Sequence, residues 1–294
     1  MDKFAVIDLG SNSVRMGIYS DENTITEHAR FRFNTRLAQG LNENNVLQKE
    51  PMDKTISALK KCREYIDEHN IKTVISVATE SLRRGKNSDE FILRAQKEAN
   101  INLMVIDGEM EAKYGMAAAS TAIDADNYYI LDTGGGSFEL SLVSNNKLKN
   151  FVCLPYGCIV LNDEFAPDKM GTEEVLCFLE QRFKELGFVT SNHYPIVALG
   201  GSVKVLASAK GEFCDGEING KKMASQDVFD LYDDIFATSV SERSVKFNME
   251  ESRKDIIVAG LSPIVSLLSI TNSEEIYFCT KSIRYGIALD YIKK

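Results

Sequence analysis

Residues 4–20, FAVIDLGSNSVRMGIYS, and residues 128–144, YYILDTGGGSFELSLVS, carry one local design twice, aligned without a gap. In each copy an apolar run ends on an aspartate, Asp8 or Asp132. A glycine follows (Gly10 or Gly134), then a short polar stretch, then Ser13 or Ser137, then a second apolar run. Apolar runs flanking a Gly/Ser/Asn cluster predict two strands joined by a tight hairpin. Glycine admits backbone conformations and close ligand approach that a Cβ forbids, and a turn of successive amides favours anions. The segments Gly10, Ser11, Asn12, Ser13 and Gly134, Gly135, Gly136, Ser137 are therefore candidate phosphate-binding turns, and two of them facing each other would clamp one phosphate. A carboxylate next to a phosphate needs a cation between them, so Asp8 and Asp132 are candidate ligands for Mg²⁺ held partly through water.

The duplication implies two halves, starting near residues 1 and 124. A chain of 294 residues with 44% hydrophobic content can fill two ordinary cores. The net charge of −9 excludes broad nonspecific binding to nucleic acid, which needs a basic face, so a polyanion would have to meet a local patch. Six cysteines (Cys62, Cys153, Cys158, Cys177, Cys214, Cys279) show no CxxC pair or metal-ligand spacing and fit free thiols of a reducing cytoplasm. Neither a signal peptide nor a membrane span is expected.

Between the hairpins the pattern predicts a helix over Thr55–His69, a strand over Thr73–Ala78 and a helix opened by Ser88. A buried strand over 102–106 follows, and after Asp107 and Gly108 a helix over 109–122. The second half predicts a helix near Thr172–Leu186, a strand at 195–199, a helix over Arg253–Ser269, a strand at 275–279 and a last helix over Arg284–Ile292. The stretch Lys210–Lys222 reads as a surface loop. Alternating strands and helices define an α/β fold class.

Three histidines (His28, His69, His193) lie away from the glycine-rich turns, which leaves carboxylates to activate a nucleophile. Glu109 and Glu111 open a helix directly after a strand, and Glu139 follows Ser137 by two residues. Such a group can deprotonate a water that attacks phosphorus, with burial raising its basicity. Glu109 and Glu111 are equally well placed for ordinary charge compensation at a helix N-terminus.

DLGSNSVR at 8–15, VATESLRRGKN at 77–87, VIDGEMEA at 105–112, LDTGGGSFEL at 131–140, LGGS at 199–202, RKDIIVAG at 253–260 and SIRYG at 282–286 occur in one order along nearly the whole chain. This ordered set resembles the exopolyphosphatase/guanosine pentaphosphate phosphohydrolase (Ppx/GppA) family. The resemblance implies two related actin-like/sugar-kinase-like (ribonuclease H-like) α/β domains with the active site in the cleft between them. The expected boundaries are 1–122 and 123–283, with the helix at 284–294 packing back on the first domain. It also implies roles: Glu111 activates water, Glu139 is the second catalytic carboxylate, Asp132 is metal-associated, and Arg83 reaches phosphate, where its guanidinium fork offsets charge. Gly200, Gly201 and Ser202 join the phosphate cradle; Lys204 and Arg284 are open between an extension of its positive lining and ordinary helix-surface charges. Met110, Asp107 and Tyr285 depart from the family pattern. The chain matches the family's short two-domain form.

The implied activity is hydrolysis of terminal phosphoanhydride bonds of inorganic polyphosphate, with guanosine pentaphosphate (pppGpp) 5′-phosphohydrolase as the alternative. An ATP-dependent small-molecule kinase and a non-catalytic binder of alarmone or polyphosphate are the readings from other classes. Expected partners are inorganic polyphosphate or guanosine penta/tetraphosphate and Mg²⁺, with no nucleic acid and no membrane. A homodimer is the candidate assembly.

Overall fold

The computed structural model describes residues 3–21, 25–41, 45–209 and 218–293. In chain order the strands and helices are β1 (Phe4–Leu9), β2 (Ser13–Asp21), β3 (Ile25–Asn34), α1 (Lys49–Glu68), β4 (Thr73–Ala78), α2 (Glu80–Arg84), α3 (Ser88–Ala99), β5 (Met104–Val105) and α4 (Gly108–Ala119). These are followed by β6 (Tyr128–Thr133), β7 (Phe138–Ser144), β8 (Lys147–Leu154), α5 (Cys158–Phe165), α6 (Pro167–Met170), α7 (Glu173–Glu185), β9 (Ile196–Gly200) and α8 (Gly201–Ala209). The last group is β10 (Lys222–Ala224), α9 (Ser225–Ala237), α10 (Val240–Lys246), α11 (Ile257–Thr271), β11 (Glu275–Phe278) and α12 (Ile283–Ile292). The chain divides into two units: residues up to Ala117 together with Ile283 onward, and residues Ala118–Ser282.

The first unit holds a five-stranded sheet in the order β3-β2-β1-β4-β5. β1 is antiparallel to β2 and parallel to β4, so the sheet is mixed. Every residue of β1 is buried, as expected of a central strand covered on both faces. Side chains alternate across a strand, and here the alternation sorts two cores. Ala5, Ile7 and Leu9 join Leu59, Ile66 and Phe91 of α1 and α3 on one face. Phe4 and Val6 join Tyr114, Ile287 and Ala288 of α4 and α12 on the other.

The second unit repeats this plan in a six-stranded sheet, β10-β11-β9-β6-β7-β8. From β8 inward the order β8-β7-β6-β9-β11 matches β3-β2-β1-β4-β5, with β10 added at the edge. β6 is antiparallel to β7 and parallel to β9. Its main core gathers Tyr129, Leu131, Phe138 and Leu140 under α5, α7, α9 and α11. α11 is apolar on nearly all sides and correspondingly buried, with Pro263 inside it. The fold is thus the expected α/β class of two related units, each a mixed sheet with helices.

Differences from the expected elements have local causes. α1 begins at Lys49 rather than Thr55, because Pro51 falls in its first turn, where the missing N–H costs no helical hydrogen bond. The buried strand expected over 102–106 shrinks to Met104–Val105, an exposed edge pair, while Ile101, Leu103 and Ile106 supply the burial. Ser88 does not cap α3; its hydroxyl donates back to the carbonyls of Leu82 and Gly85. β3 and β8, the outer strands beside each hairpin, were not expected. Their patterns mix half-buried and exposed residues, and β8, KLKNFVCL, has five apolar residues of eight without a strict alternation. Of the loop expected at Lys210–Lys222, residues 210–217 lie outside the described residues, and Lys222 opens β10.

Candidate functional site

In the first unit Asp8 shares the sheet face of Phe4 and Val6, the face covered by α4 and α12. Arg15 stands directly across from it on β2, and directly opposed residues of an antiparallel pair share a face. Asp8 is 5% exposed. Burial raises its pKa, and the charges of Arg15 and Arg284 partly offset that rise. The turn after it closes through Gly10 N–H donating to Ser13 O at 3.1 Å. Ser11 O accepts from Ala38 N, and Asn12 O accepts from Thr35 N and Arg36 N. A trans peptide points its N–H opposite to its C=O, so the amides of Asn12 and Ser13 turn away from residues 35–38.

Glu111 comes to the same region through the start of α4. The Asp107 carboxylate accepts from Met110 N–H at 2.7 Å, and its carbonyl accepts from Glu111 N–H at 3.1 Å. Asp107 therefore caps the helix, the role its side-chain oxygen suits best. Arg83 on α2 donates through Nη1 to both Ile106 O and Glu111 Oε2, each at 2.8 Å. The two side chains of this ion pair are 25% and 27% exposed. Burial raises the Glu111 pKa; Arg83 pulls it down, and Asp8 and Glu80 push it up. The net rise moves this carboxylate toward the range of a working base. Glu109 instead pairs with Lys113 in solvent, the charge-compensating arrangement.

The second unit has the same turn. Gly134 N–H donates to Ser137 O at 2.9 Å, and the carbonyls of Gly134 and Gly135 accept from the amides of Cys158 and Ile159, each at 3.0 Å. The amides of Gly135 and Gly136 consequently turn away from α5. Gly157 is obligatory here, since a Cβ on it would collide with the Gly135 backbone. Asp132 stands directly across from Glu139, so two carboxylates share one face where the first unit has an acid and an arginine. Ser137 Oγ donates to Glu139 Oε1 at 2.8 Å, and Cys153 Sγ donates to the same oxygen at 3.1 Å.

A third glycine turn joins β9 to α8. Gly200 has φ +108°, and a Cβ there would meet Thr133 O. A Cβ on Gly201 would run into the Arg253 guanidinium, and Ser202 is buried against Gly260. The Arg253 charge also lowers the Cys158 pKa, although burial outweighs it.

The structure thus brings Asp8, Arg83 and Glu111 together in one unit, and Asp132, Ser137 and Glu139 in the other, where Thr133 also meets the turn at Gly200–Ser202. Arg284 does not extend an exposed positive lining: it is 5% exposed, and burial lowers its pKa against the charges of Tyr19, Glu27 and Asp8. Arg84 pairs with Glu80 at the surface. Arg15, Arg253 and Cys153 were missed. Arg15 was legible, since the repeat aligns it with Glu139. Arg253 lies in the RKDIIVAG stretch, and Cys153 had no signal because β8 was not foreseen.

What these features define is an α/β protein of two like units, each opening a glycine turn directly after an aspartate. The sequence profile of the Ppx/GppA phosphatase family matches residues 18–294, and the chain belongs to that family. It is similar to the crystal structure of the Aquifex aeolicus Ppx/GppA phosphatase, with a TM-score of 0.86, 26% identity and coverage of 99% of each chain. It is 25% identical over 311 residues to a bifunctional 3-dehydroquinate synthase/phosphatase of Fusobacterium nucleatum, covering 98% of this chain and 46% of that protein. It is 29% identical over 216 residues to a guanosine-5′-triphosphate,3′-diphosphate pyrophosphatase of Aliivibrio fischeri, covering 69% of this chain and 42% of that one. The chain spans less than half the length of these two curated relatives.

Proposed function

We propose that the protein hydrolyses phosphoanhydride bonds and releases the terminal phosphate of inorganic polyphosphate. The observation that carries this reading is Glu111: a carboxyl with raised pKa, set by a capped helix start and gripped by Arg83. In the proposed step Glu111 takes a proton from water as the water oxygen bonds to the terminal phosphorus. The bridging P–O bond breaks, and its electrons leave with the shortened chain. The outward amides of the glycine turns bind phosphate oxygens. Both Arg83 contacts use Nη1, which leaves Nη2 to meet a phosphate oxygen. Glu139 is assigned as the second catalytic carboxylate.

Among the described residues no three His, Cys, Asp or Glu side chains converge to hold a metal ion. That fits Mg²⁺, which commonly takes one or two carboxylates and completes its shell with water and substrate phosphate. The hard oxygens of Asp132 and Glu139, opposed on one face, fit such an ion; Asp8, already beside two arginines, fits it less well. When bound, Mg²⁺ would neutralise developing phosphate charge. Asp132→Asn is expected to raise the Mg²⁺ concentration needed for activity, and an unchanged titration would remove Asp132 from the metal site.

Guanosine pentaphosphate is the second reading. The name of the Aliivibrio relative favours it, and so does the inward position of Arg284, which shortens any basic track for a long polymer. Phosphate release from polyphosphate, guanosine pentaphosphate and ATP, measured side by side with and without Mg²⁺, tests both readings. Release from none of them would leave a non-catalytic binder. Among the described residues no helix is long and apolar enough to cross a membrane, and the scattered thiols support a cytoplasmic setting.

A further inference from the structure

Three neighbouring strands place Asp132, Glu139 and Cys153 in a row. Asp132 pairs with Glu139 across β6 and β7, and Glu139 pairs with Cys153 across β7 and β8. All three side chains therefore project from one face. On one flank stands Asp132, directly across the strand pair. On the other flank the Cys153 thiol and the Ser137 hydroxyl both donate to Oε1, at 3.1 and 2.8 Å. A carboxylate turns broadly about its last torsion unless an oxygen is tied. Here Oε1 is tied twice, so the two oxygens of Glu139 are no longer interchangeable. Cys153 is exposed, so its packing contributes little to stability.

We propose that Cys153 is a positioning residue for the reaction, acting through its S–H donor on Glu139. The inference rests on the reading of Glu139 as catalytic. A thiol is a weak donor, but a bond to an ionised acceptor is stronger than a neutral one. Removing it takes away one of the two donors tied to Oε1. The donor, rather than the sulfur, is what matters, and a hydroxyl at the same position can supply it.

The test compares Cys153→Ala, Cys153→Ser and Glu139→Gln with the native protein, assayed on polyphosphate and on guanosine pentaphosphate with Mg²⁺, with Tm measured for each. Cys153→Ala is expected to lower kcat about 10-fold with KM within about 2-fold. Cys153→Ser should restore kcat to within about 3-fold of native, with both Tm values close to native. A packing role would not discriminate between alanine and serine in this way. If Glu139→Gln is impaired while Cys153→Ala keeps the native kcat, or if Cys153→Ser is as slow as Cys153→Ala, the inference is wrong and the catalytic reading of Glu139 stands. If Glu139→Gln turns over at the native rate, that reading falls and this inference falls with it.

Discussion

The two hairpins share length, turn and strand order, yet differ at one facing position. Across from Asp8 the first unit has Arg15; across from Asp132 the second has Glu139. The Asp8 face lies under α12, where Arg284 brings a second positive charge. Here the two arginines offset part of the cost of burying the Asp8 carboxylate. The other sets two carboxylates side by side, and like charges directly opposed are destabilising in a sheet. Copies of one design thus differ in the charge of one facing pair: an acid faces an arginine in the first and an acid faces an acid in the second.

The comparison breaks most visibly at Glu111, the carboxylate proposed for catalysis in the first unit. Glu111→Gln is expected to lower turnover on the order of 10² to 10⁴, with little change in substrate affinity. Steady-state kinetics check this, and native turnover would return Glu111 to partnering Arg83.

Exchanging the facing residues sharpens the contrast. Glu139→Arg gives the second hairpin the pairing of the first, and should cost roughly 10² or more in turnover while Tm holds or rises. Arg15→Glu does the reverse: it leaves buried Asp8 facing an acid and should destabilise the protein by about 2–4 kcal/mol in denaturant unfolding. Equal stability losses in both variants would mean that the two faces do not differ in this way.

Burial makes Asp8 hold its proton more tightly in the folded chain than in the unfolded one. The native state then binds more protons, so stability is highest below the ordinary carboxylate range and falls as pH rises toward the raised pKa. Asp8→Asn should raise Tm by about 2–4 °C at neutral pH, and the two curves should converge below about pH 4. A difference that does not vary with pH would contradict the burial argument.

The smallest effect concerns reach. Exposed charge contacts are screened over about 10 Å at 0.1 M salt. With Arg284 buried and Arg83 engaged, added salt should raise KM for long polyphosphate only a few-fold more than for tripolyphosphate, at nearly constant kcat. A steep difference would instead reveal an extended basic track.

Much of the frame was legible because it rests on short-range patterns. The repeat placed both turns, and strong periodicity placed β4, α3 and α7. Glu111 and Glu139 were singled out by their position after a strand or a turn, and the roles proposed for them came from the family resemblance. What escaped depends on partners distant in sequence. That Arg83 grips Glu111, or that Arg284 points inward, follows from packing between α2, α4 and α12, and no local pattern encodes it. Cys153 reaches Glu139 through the register of β7 and β8, and an outer strand without strict apolar alternation leaves little trace in sequence.

The place of α12 has a consequence for how the chain is made. Ile287 and Ala288 complete the core around Phe4 and Val6, yet the whole second unit separates them in sequence. Synthesis runs from the N-terminus, so the share of this face that lies under α12 stays open after α4 has packed, until α12 emerges. The second unit is continuous and can close its own core earlier. Of the two units, the one translated first is therefore the one that finishes folding last. The part of its sheet face left open for α12 is a place where a nascent chain can misassociate.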